Sequence, residues 1–127
     1  MTRMWMTDPK IMCRNHLLGE HKEIHQLLGS LKKGYSVKGY VDNNCIEITS
    51  IVSRHDRIVE EMLSRGYNHM SPIHFTQSEI NSYSVALYPP EHINYKVDAD
   101  LSLQDLLKRC SKCNSNKEYL NERNKIQ

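Results

Sequence analysis

The sequence lacks the marks of a membrane or secreted protein. No apolar run approaches the length that a bilayer requires, and the N-terminus has neither the basic flank nor the apolar stretch of a signal peptide. Its cysteines are too few and too scattered for the disulfide framework of a small secreted protein. We therefore expect a cytoplasmic protein with reduced thiols. The four cysteines are Cys13, Cys45, Cys110 and Cys113.

The sequence also lacks repeats and low-complexity tracts. Its 127 residues suit one compact domain with a single core, spanning residues 1–127. A hydrophobic content of 39% and a charged content of 25% are ordinary for a globular domain.

Local signals predict an all-α fold. Asp8 and Pro9 predict the start of a helix over about residues 10–33, and Gly34 should end it. A second helix is expected over about residues 50–65. A third helix should begin at Ser102, and "KEYLNER" is a candidate continuation of it.

The remaining stretches show neither helical nor strand periodicity, and prolines interrupt them. These are "GYSVKGYVDNN", "GYNHMSPIHF" and the segment through "YPPEHINYKVDAD". We therefore expect a single small domain of about three helices with long ordered loops.

The first predicted helix carries acidic residues on its apolar side. At 100° per residue, Glu20 falls inside the arc that should face the core, while Glu23 and His16 lie at its margin. Two interpretations remain open. One is that Glu20 forms a buried ion pair with Arg3 or Arg14, and the other is that the two carboxylates have raised pKa values that suit proton transfer. The apolar members of the arc are Leu17, Ile24, Leu27, Leu28 and Leu31.

Positive charge is concentrated at the start of the chain. Residues 1–40 carry seven Lys and Arg against three acids, a balance of +4 in a chain whose net charge is +2. This excess permits a polyanionic partner, although basic solvated surfaces are common. The basic residues are Arg3, Lys10, Arg14, Lys22, Lys32, Lys33 and Lys38.

The second residue is a candidate nucleophile. A small residue at position 2 favours removal of Met1, which would leave Thr2 with a free α-amine. Such an amine has a pKa of about 7.7–8.0, so a substantial fraction is neutral and nucleophilic at pH 7. Most proteins with threonine at this position make no use of the amine.

Metal binding is the weaker interpretation of the histidines and cysteines. His16 and His21 point to different sides of the first helix, and His25 follows one turn later. Cys110 and Cys113 form a CxxC motif that lacks the second pair a structural zinc site requires. We expect no metal and no cofactor, because the ligands fall short of four at any one place. A metal-binding regulatory protein remains an alternative.

Three segments together resemble the pyrimidine-dimer DNA glycosylase/AP lyase family of phages and bacteria. They are "TR" at positions 2 and 3, "HLLGEHKE" from His16 to Glu23, and "RHDRIVEEMLSRGYNHMSP". The resemblance extends from Thr2 to about Pro72. Five polar residues match the family without a gap, namely Thr2, Arg3, His16, Glu20 and Glu23.

The resemblance implies a covalent mechanism. In that family the N-terminal threonine amine, here Thr2, attacks C1′ of a damaged nucleotide, expels the base and forms an imine with the sugar. The glutamate matched by Glu23 stabilises the cationic sugar and assists the proton transfers that lead to β-elimination. Arg3 and His16 match residues that bind DNA or brace the site, and Glu20 is expected to have a structural role.

The implied partner is double-stranded DNA carrying a lesion or an abasic site, bound by a monomer. Lys22 and Gln26 stand where the phage prototype has arginines, and Arg14, Lys32 and Lys33 are further candidates for contacts with DNA. The prototype's aromatic C-terminal tail has no counterpart in "NKEYLNERNKIQ". A glycosylase for another lesion or modified base, and a non-catalytic DNA-binding module, therefore remain alternatives.

Overall fold

The computed structural model describes residues 2–69 and 71–126, and their side chains as far as residue 122. The prediction of an all-α fold agrees with it, but the prediction of about three helices is wrong. Seven α-helices lie within the described residues: α1 (Arg14–Lys32), α2 (Lys38–Asp42), α3 (Ile51–Ser64), α4 (Gln77–Leu87), α5 (Pro90–Ile93), α6 (Ala99–Arg109) and α7 (Ser111–Ile126). Two short 3-10 helices precede α1 and α3, at Pro9–Ile11 and Ile48–Ser50.

The first predicted helix is divided in two. Asp8 caps the 3-10 helix Pro9–Ile11 through a bond from the Lys10 backbone N–H, as its sequence signal indicates. The backbone then becomes extended at Met12, so that α1 begins only at residue 14. Gly34 ends α1 with φ at +71°, a conformation that glycine adopts without steric penalty.

The second predicted helix corresponds closely to α3, which Gly66 terminates at φ +82°. The third begins earlier than predicted. Asp98 caps α6 by accepting backbone N–H bonds, whereas the hydroxyl of Ser102 is buried and donates to the carbonyl of Trp5. The predicted continuation is α7, which also includes the "NSN" segment.

Two of the predicted loops contain helices. The stretch after Gly34 includes α2, and the long segment with the prolines includes α4 and α5. A sequence signal for α4 was present. Thr76 and Glu79 form a capping box, in which each side chain accepts a hydrogen bond from the other's backbone N–H.

The N-terminal segment lies inside the domain. Helices α1 and α3 pack against each other, and the side chains of Met4, Trp5 and Met12 are buried in the same core. The backbone N–H of Met4 donates to the carbonyl of Cys45 at 2.7 Å. Among the described helices, none has both the length and the apolar character of a membrane span.

A buried ion pair joins α1 to α3. Glu20 is 0% exposed, and its two carboxylate oxygens accept bonds of 2.6 and 2.9 Å from Nε and Nη2 of Arg54. The same guanidinium donates to the carbonyl of Thr7 at 2.6 Å. The interpretation of Glu20 as a buried ion-pair partner is therefore confirmed, but the predicted partners, Arg3 and Arg14, are wrong.

Breaking this pair from one side should strongly destabilise the protein. In Glu20→Gln the guanidinium of Arg54 remains buried without its counter-charge, which costs roughly 3–5 kcal/mol of unfolding free energy. Chemical denaturation measured by circular dichroism would show this loss. The double variant Glu20→Met/Arg54→Met should recover part of it, because it leaves no buried charge. Equal stability of Glu20→Gln and the parent protein would contradict the assignment.

Candidate active site

One turn of α1 brings an acidic side chain to the start of the chain. The backbone N–H of Arg3 lies near the carboxyl of Glu23 and favours its charged form. The hydroxyl of Thr2 lies 3.5 Å from Oε1 of Gln26, which is three residues further along the helix. The two residues predicted as catalytic, Thr2 and Glu23, are thus brought to the same place.

The surroundings of Glu23 disfavour its charged form. Burial raises the pKa of its carboxyl above the ordinary value of 4.5, and the negative charge of Glu20 raises it further. The Arg3 backbone N–H acts in the opposite direction but is a smaller effect. Glu23 therefore has the environment of a group that can exchange a proton nearer neutral pH.

The side chain of Arg3 contacts α6 and braces the N-terminal segment. Its Nη1 lies 2.8 Å from the carboxylate of Asp105, and its Nη2 donates to the hydroxyl of Ser102 at 3.3 Å. The guanidinium also lies 3.7 Å from the ring centroid of Trp5. With a relative exposure of 8%, Arg3 makes the contacts of a bracing residue.

His16 lies apart from Glu23, at the beginning of α1. Seven residues separate the two along the helix, which corresponds to about 10 Å. The His16 ring packs edge-on against Trp5, and its Nδ1 lies 3.1 Å from Sγ of Cys13. Its contacts therefore belong to the region where the chain enters α1.

A shallow pocket of about 460 Å³ opens beside Gln26. Its lining includes two of the predicted DNA contacts, Lys22 and Gln26, both of which are exposed. His21, His25 and Ser71 form the rest of it. The pocket thus lies next to the residue that Thr2 contacts.

The other predicted DNA contacts are exposed on α1 or just after it, and each lies near an aromatic ring. Lys32 Nζ is 3.8 Å from the ring centroid of Phe75, and Lys33 Nζ is 5.7 Å from that of Tyr35. These cations keep their charged ends at the surface, where they can meet phosphates. The third is Arg14, 5.4 Å from the ring of Tyr67.

Four histidines cluster behind the pocket, a feature that sequence reasoning missed. His21 and His25 from α1 meet His55 from α3 and His69 from the loop that follows, with ring centroids 4.9–5.2 Å apart in five of the pairs. Burial, then the charges of His55, His25 and His69, lowers the pKa of His21 to about 4. His21 is therefore neutral at physiological pH.

Arg54 is the other residue that sequence reasoning missed. It occupies the apolar side of α3, three residues after Ile51 and four before Ile58, both fully buried. A charged residue at such a position is the same signal that Glu20 gives on α1. Two misplaced charges of opposite sign on neighbouring helices predict a pair between them.

The profile of the pyrimidine dimer DNA glycosylase family matches residues 2–75, more than half of the chain. This chain belongs to that family. Comparisons with curated proteins and with solved structures gave no significant match.

The family match includes the whole of α1 and α3 and ends before α4. Thr2, Glu23 and the Glu20–Arg54 pair all lie within the part of the chain that the family profile matches. Asp105 and Ser102, which hold Arg3, lie beyond it. The C-terminal helices therefore support the family region without being part of the match.

Neutralising Glu23 should stabilise the fold. Since its folded-state pKa is raised, the native state binds more protons than the unfolded state in this range, and stability is lost as pH rises through that pKa. Glu23→Gln should thus have a higher melting temperature than the parent at pH 7, with a smaller difference below about pH 4.

Thermal unfolding across pH measures this difference. Glu60→Gln, which removes an exposed acid on α3, serves as the control and should change little. A melting temperature lowered by Glu23→Gln at pH 7 would show that the charge at this position stabilises the fold instead.

Proposed function

We propose that this member of the family is a DNA glycosylase with AP-lyase activity, acting on damaged or abasic double-stranded DNA through an imine formed by the Thr2 amine. The observation that carries the proposal is the packing of the N-terminal segment beside Glu23: the hydroxyl of Thr2 lies 3.5 Å from Oε1 of Gln26, one turn further along α1, and the backbone N–H of Arg3 lies near the Glu23 carboxyl. It puts an acid–base group next to the residue that would provide the nucleophile. Met1, whose removal the mechanism requires, lies outside the described residues.

The proposed first step is attack of the neutral amine on C1′ of the extruded nucleotide. The N–C1′ bond forms as the N-glycosidic bond breaks, and the base leaves with its electron pair and takes a proton from the amine. The C1′–O4′ bond then breaks, O4′ takes a proton, and the opened sugar remains bound as an iminium ion. An N-terminal amine suits this role because its pKa of about 7.7–8.0 leaves a neutral fraction that a lysine would lack.

Glu23 has two parts in the proposed scheme. Its carboxylate stabilises the positive charge that develops on the sugar, and it accepts the C2′ proton that the iminium acidifies. Loss of that proton breaks the C3′–O bond and cuts the strand. Hydrolysis of the imine then returns the free amine. The partly buried setting of Glu23 strengthens its electrostatic effect.

The surface around this site supports a DNA substrate. Lys22 and Gln26 border the 460 Å³ pocket, a volume within the usual range for small-ligand sites and sufficient for an extruded base. Lys32 and Lys33 continue the basic surface along α1 and can contact the flanking phosphates. That the protein acts in the cytoplasm and as a monomer stays a prediction.

The alternative is a DNA-binding module that keeps the scaffold without catalysis. It shares the basic surface and the buried ion pair, so binding measurements alone do not separate the two functions. The state of the Thr2 amine separates the two functions, because a retained Met1 would block the amine. Mass spectrometry of the intact N-terminus is the first measurement to make.

A trapped imine tests the chemistry directly. Incubation with a duplex containing an abasic site and borohydride should give a covalent adduct, because the reduced imine cannot hydrolyse. Peptide mapping should place the adduct on Thr2. One extra residue before Thr2 should abolish trapping while the circular dichroism spectrum is unchanged.

Glu23→Gln is the matched control for this experiment. It should bind the duplex with normal affinity, whereas turnover falls by roughly 10²–10⁴, the range that loss of one acid–base group gives. An adduct that maps to a lysine would contradict the N-terminal mechanism. A near-normal rate in Glu23→Gln would contradict the role of Glu23.

Substrate preference should depend on the C-terminal region beyond the family match, where the chain lacks the prototype's aromatic tail. Abasic-site cleavage needs the amine, Glu23 and phosphate contacts, all of which have candidates. Two tyrosines that follow α1 could replace the missing aromatic tail: Tyr40 is half-buried against the core, whereas Tyr35 is 58% exposed. Tyr35 lies beyond the end of α1, whose last residue is about 14 Å along the helix from Glu23, so we expect it to contact DNA that flanks the lesion.

We therefore expect faster cleavage of abasic DNA than of cyclobutane dimers, and dimer cleavage that falls more steeply with salt. Rates on two duplexes of one sequence, at low and moderate salt, measure this. Tyr35→Ala should slow dimer cleavage a fewfold, and Tyr119→Ala, which removes another exposed ring, should not. Equal rates on both duplexes at moderate salt would contradict the prediction.

A further inference from the structure

Four potential metal ligands meet at the start of α1, away from Glu23. Cys13 is the residue before α1, and His16 lies in the first turn of that helix. Cys110 separates α6 from α7, and Cys113 lies in the first turn of α7. The sequence pattern is therefore C-x2-H followed by C-x2-C, and the ligand atoms of all four residues lie within 4.8 Å of one another. The expectation that ligands fall short of four at any one place is wrong.

The distances suit a tetrahedral zinc ion. Zinc binds sulfur at about 2.3 Å and imidazole nitrogen at about 2.0–2.1 Å, so ligand atoms on a tetrahedron lie about 3.6–3.8 Å apart. Sγ of Cys13 and Cys110 are 3.8 Å apart, as are Sγ of Cys113 and Nδ1 of His16. Sγ of Cys13 is closer to Nδ1 of His16, at 3.1 Å.

The backbone around the cluster is arranged to support thiolates. The N–H of Cys13 donates to Sγ of Cys113 at 3.2 Å, and the N–H of Cys113 donates to Sγ of Cys110 at 3.4 Å. Hydrogen bonds to ligand sulfurs are the outer contacts that orient and stabilise metal-bound thiolates. The bond from Cys13 joins the two halves of the cluster, and the bond from Cys113 lies within the second half.

Two competing explanations fit less well. A disulfide requires sulfurs about 2.05 Å apart, whereas the Cys13 and Cys110 sulfurs are 3.8 Å apart, and all the cysteines are free thiols. The three-histidine group of His21, His55 and His69 also brings nitrogen atoms together, but it offers three donors and no thiolate.

We propose that Cys13, His16, Cys110 and Cys113 bind one structural Zn²⁺ ion. Four protein ligands complete the coordination shell, so the site has no open position for a substrate or a water molecule. It ties the beginning of α1 to the α6–α7 junction, 97 residues away in sequence. The ion thereby holds α6, whose Asp105 and Ser102 brace Arg3. The site is separate from the proposed glycosylase chemistry.

Elemental analysis of the protein, purified without a histidine tag, should give one zinc per chain. Cobalt(II) added to chelator-treated protein should produce thiolate-to-metal charge-transfer bands and the visible bands of tetrahedral cobalt. Zinc should then displace the cobalt and raise the melting temperature, since it binds the folded state.

Cys110→Ser and Cys113→Ser should lose the cobalt thiolate bands and the zinc. Two matched controls should retain both: Cys45→Ser, a buried cysteine outside the cluster, and His69→Gln, from the histidine group. If the serine variants fail to fold, the cobalt titration of the parent protein still decides the question. Absence of thiolate bands in the parent, a disulfide between cluster cysteines, or zinc retained by both folded serine variants would overturn the proposal.

Discussion

The buried pair of Glu20 and Arg54 is the interaction on which the rest of the structure depends. It binds three parts of the chain at once, since Glu20 belongs to α1, Arg54 to α3 and the carbonyl of Thr7 to the N-terminal segment. Each charge is unfavourable in an apolar core unless all three parts are in place. The pair therefore favours one register of the two helices and one path of the segment between them.

Two acids one turn apart on α1 consequently behave in opposite ways. Glu20 is fully paired, and its charge holds the fold together. Glu23 is not part of this ion pair, and burial, followed by the charge of the neighbouring Glu20, raises its pKa. Glu20 thus serves stability, whereas Glu23 serves the proposed chemistry. The same substitution, glutamate to glutamine, is therefore expected to stabilise the fold at position 23 and to destabilise it at position 20.

Local signals made part of this structure predictable. Gly34 and Gly66 terminate α1 and α3 where the sequence indicates. The positive φ at each end depends on the glycine itself and on its neighbours within one turn, so the local sequence is enough to predict it. Arg54 carries a local signal too, as a charge on the apolar side of α3, but several arginines are available and only the packing of α1 on α3 selects it as the partner of Glu20. The cluster of Cys13 with Cys110 was missed for the same reason: contacts between distant residues depend on the completed fold.

The threading of the N-terminal segment through the core has a consequence for biosynthesis. Arg3 leaves the ribosome 102 residues before Asp105, its ion-pair partner. Until α6 has been synthesised, the residues around Thr2 have no finished site in which to pack, so they stay open to the cellular peptidases that process new N-termini. The proposed chemistry needs that processing, which can therefore begin before the fold is complete.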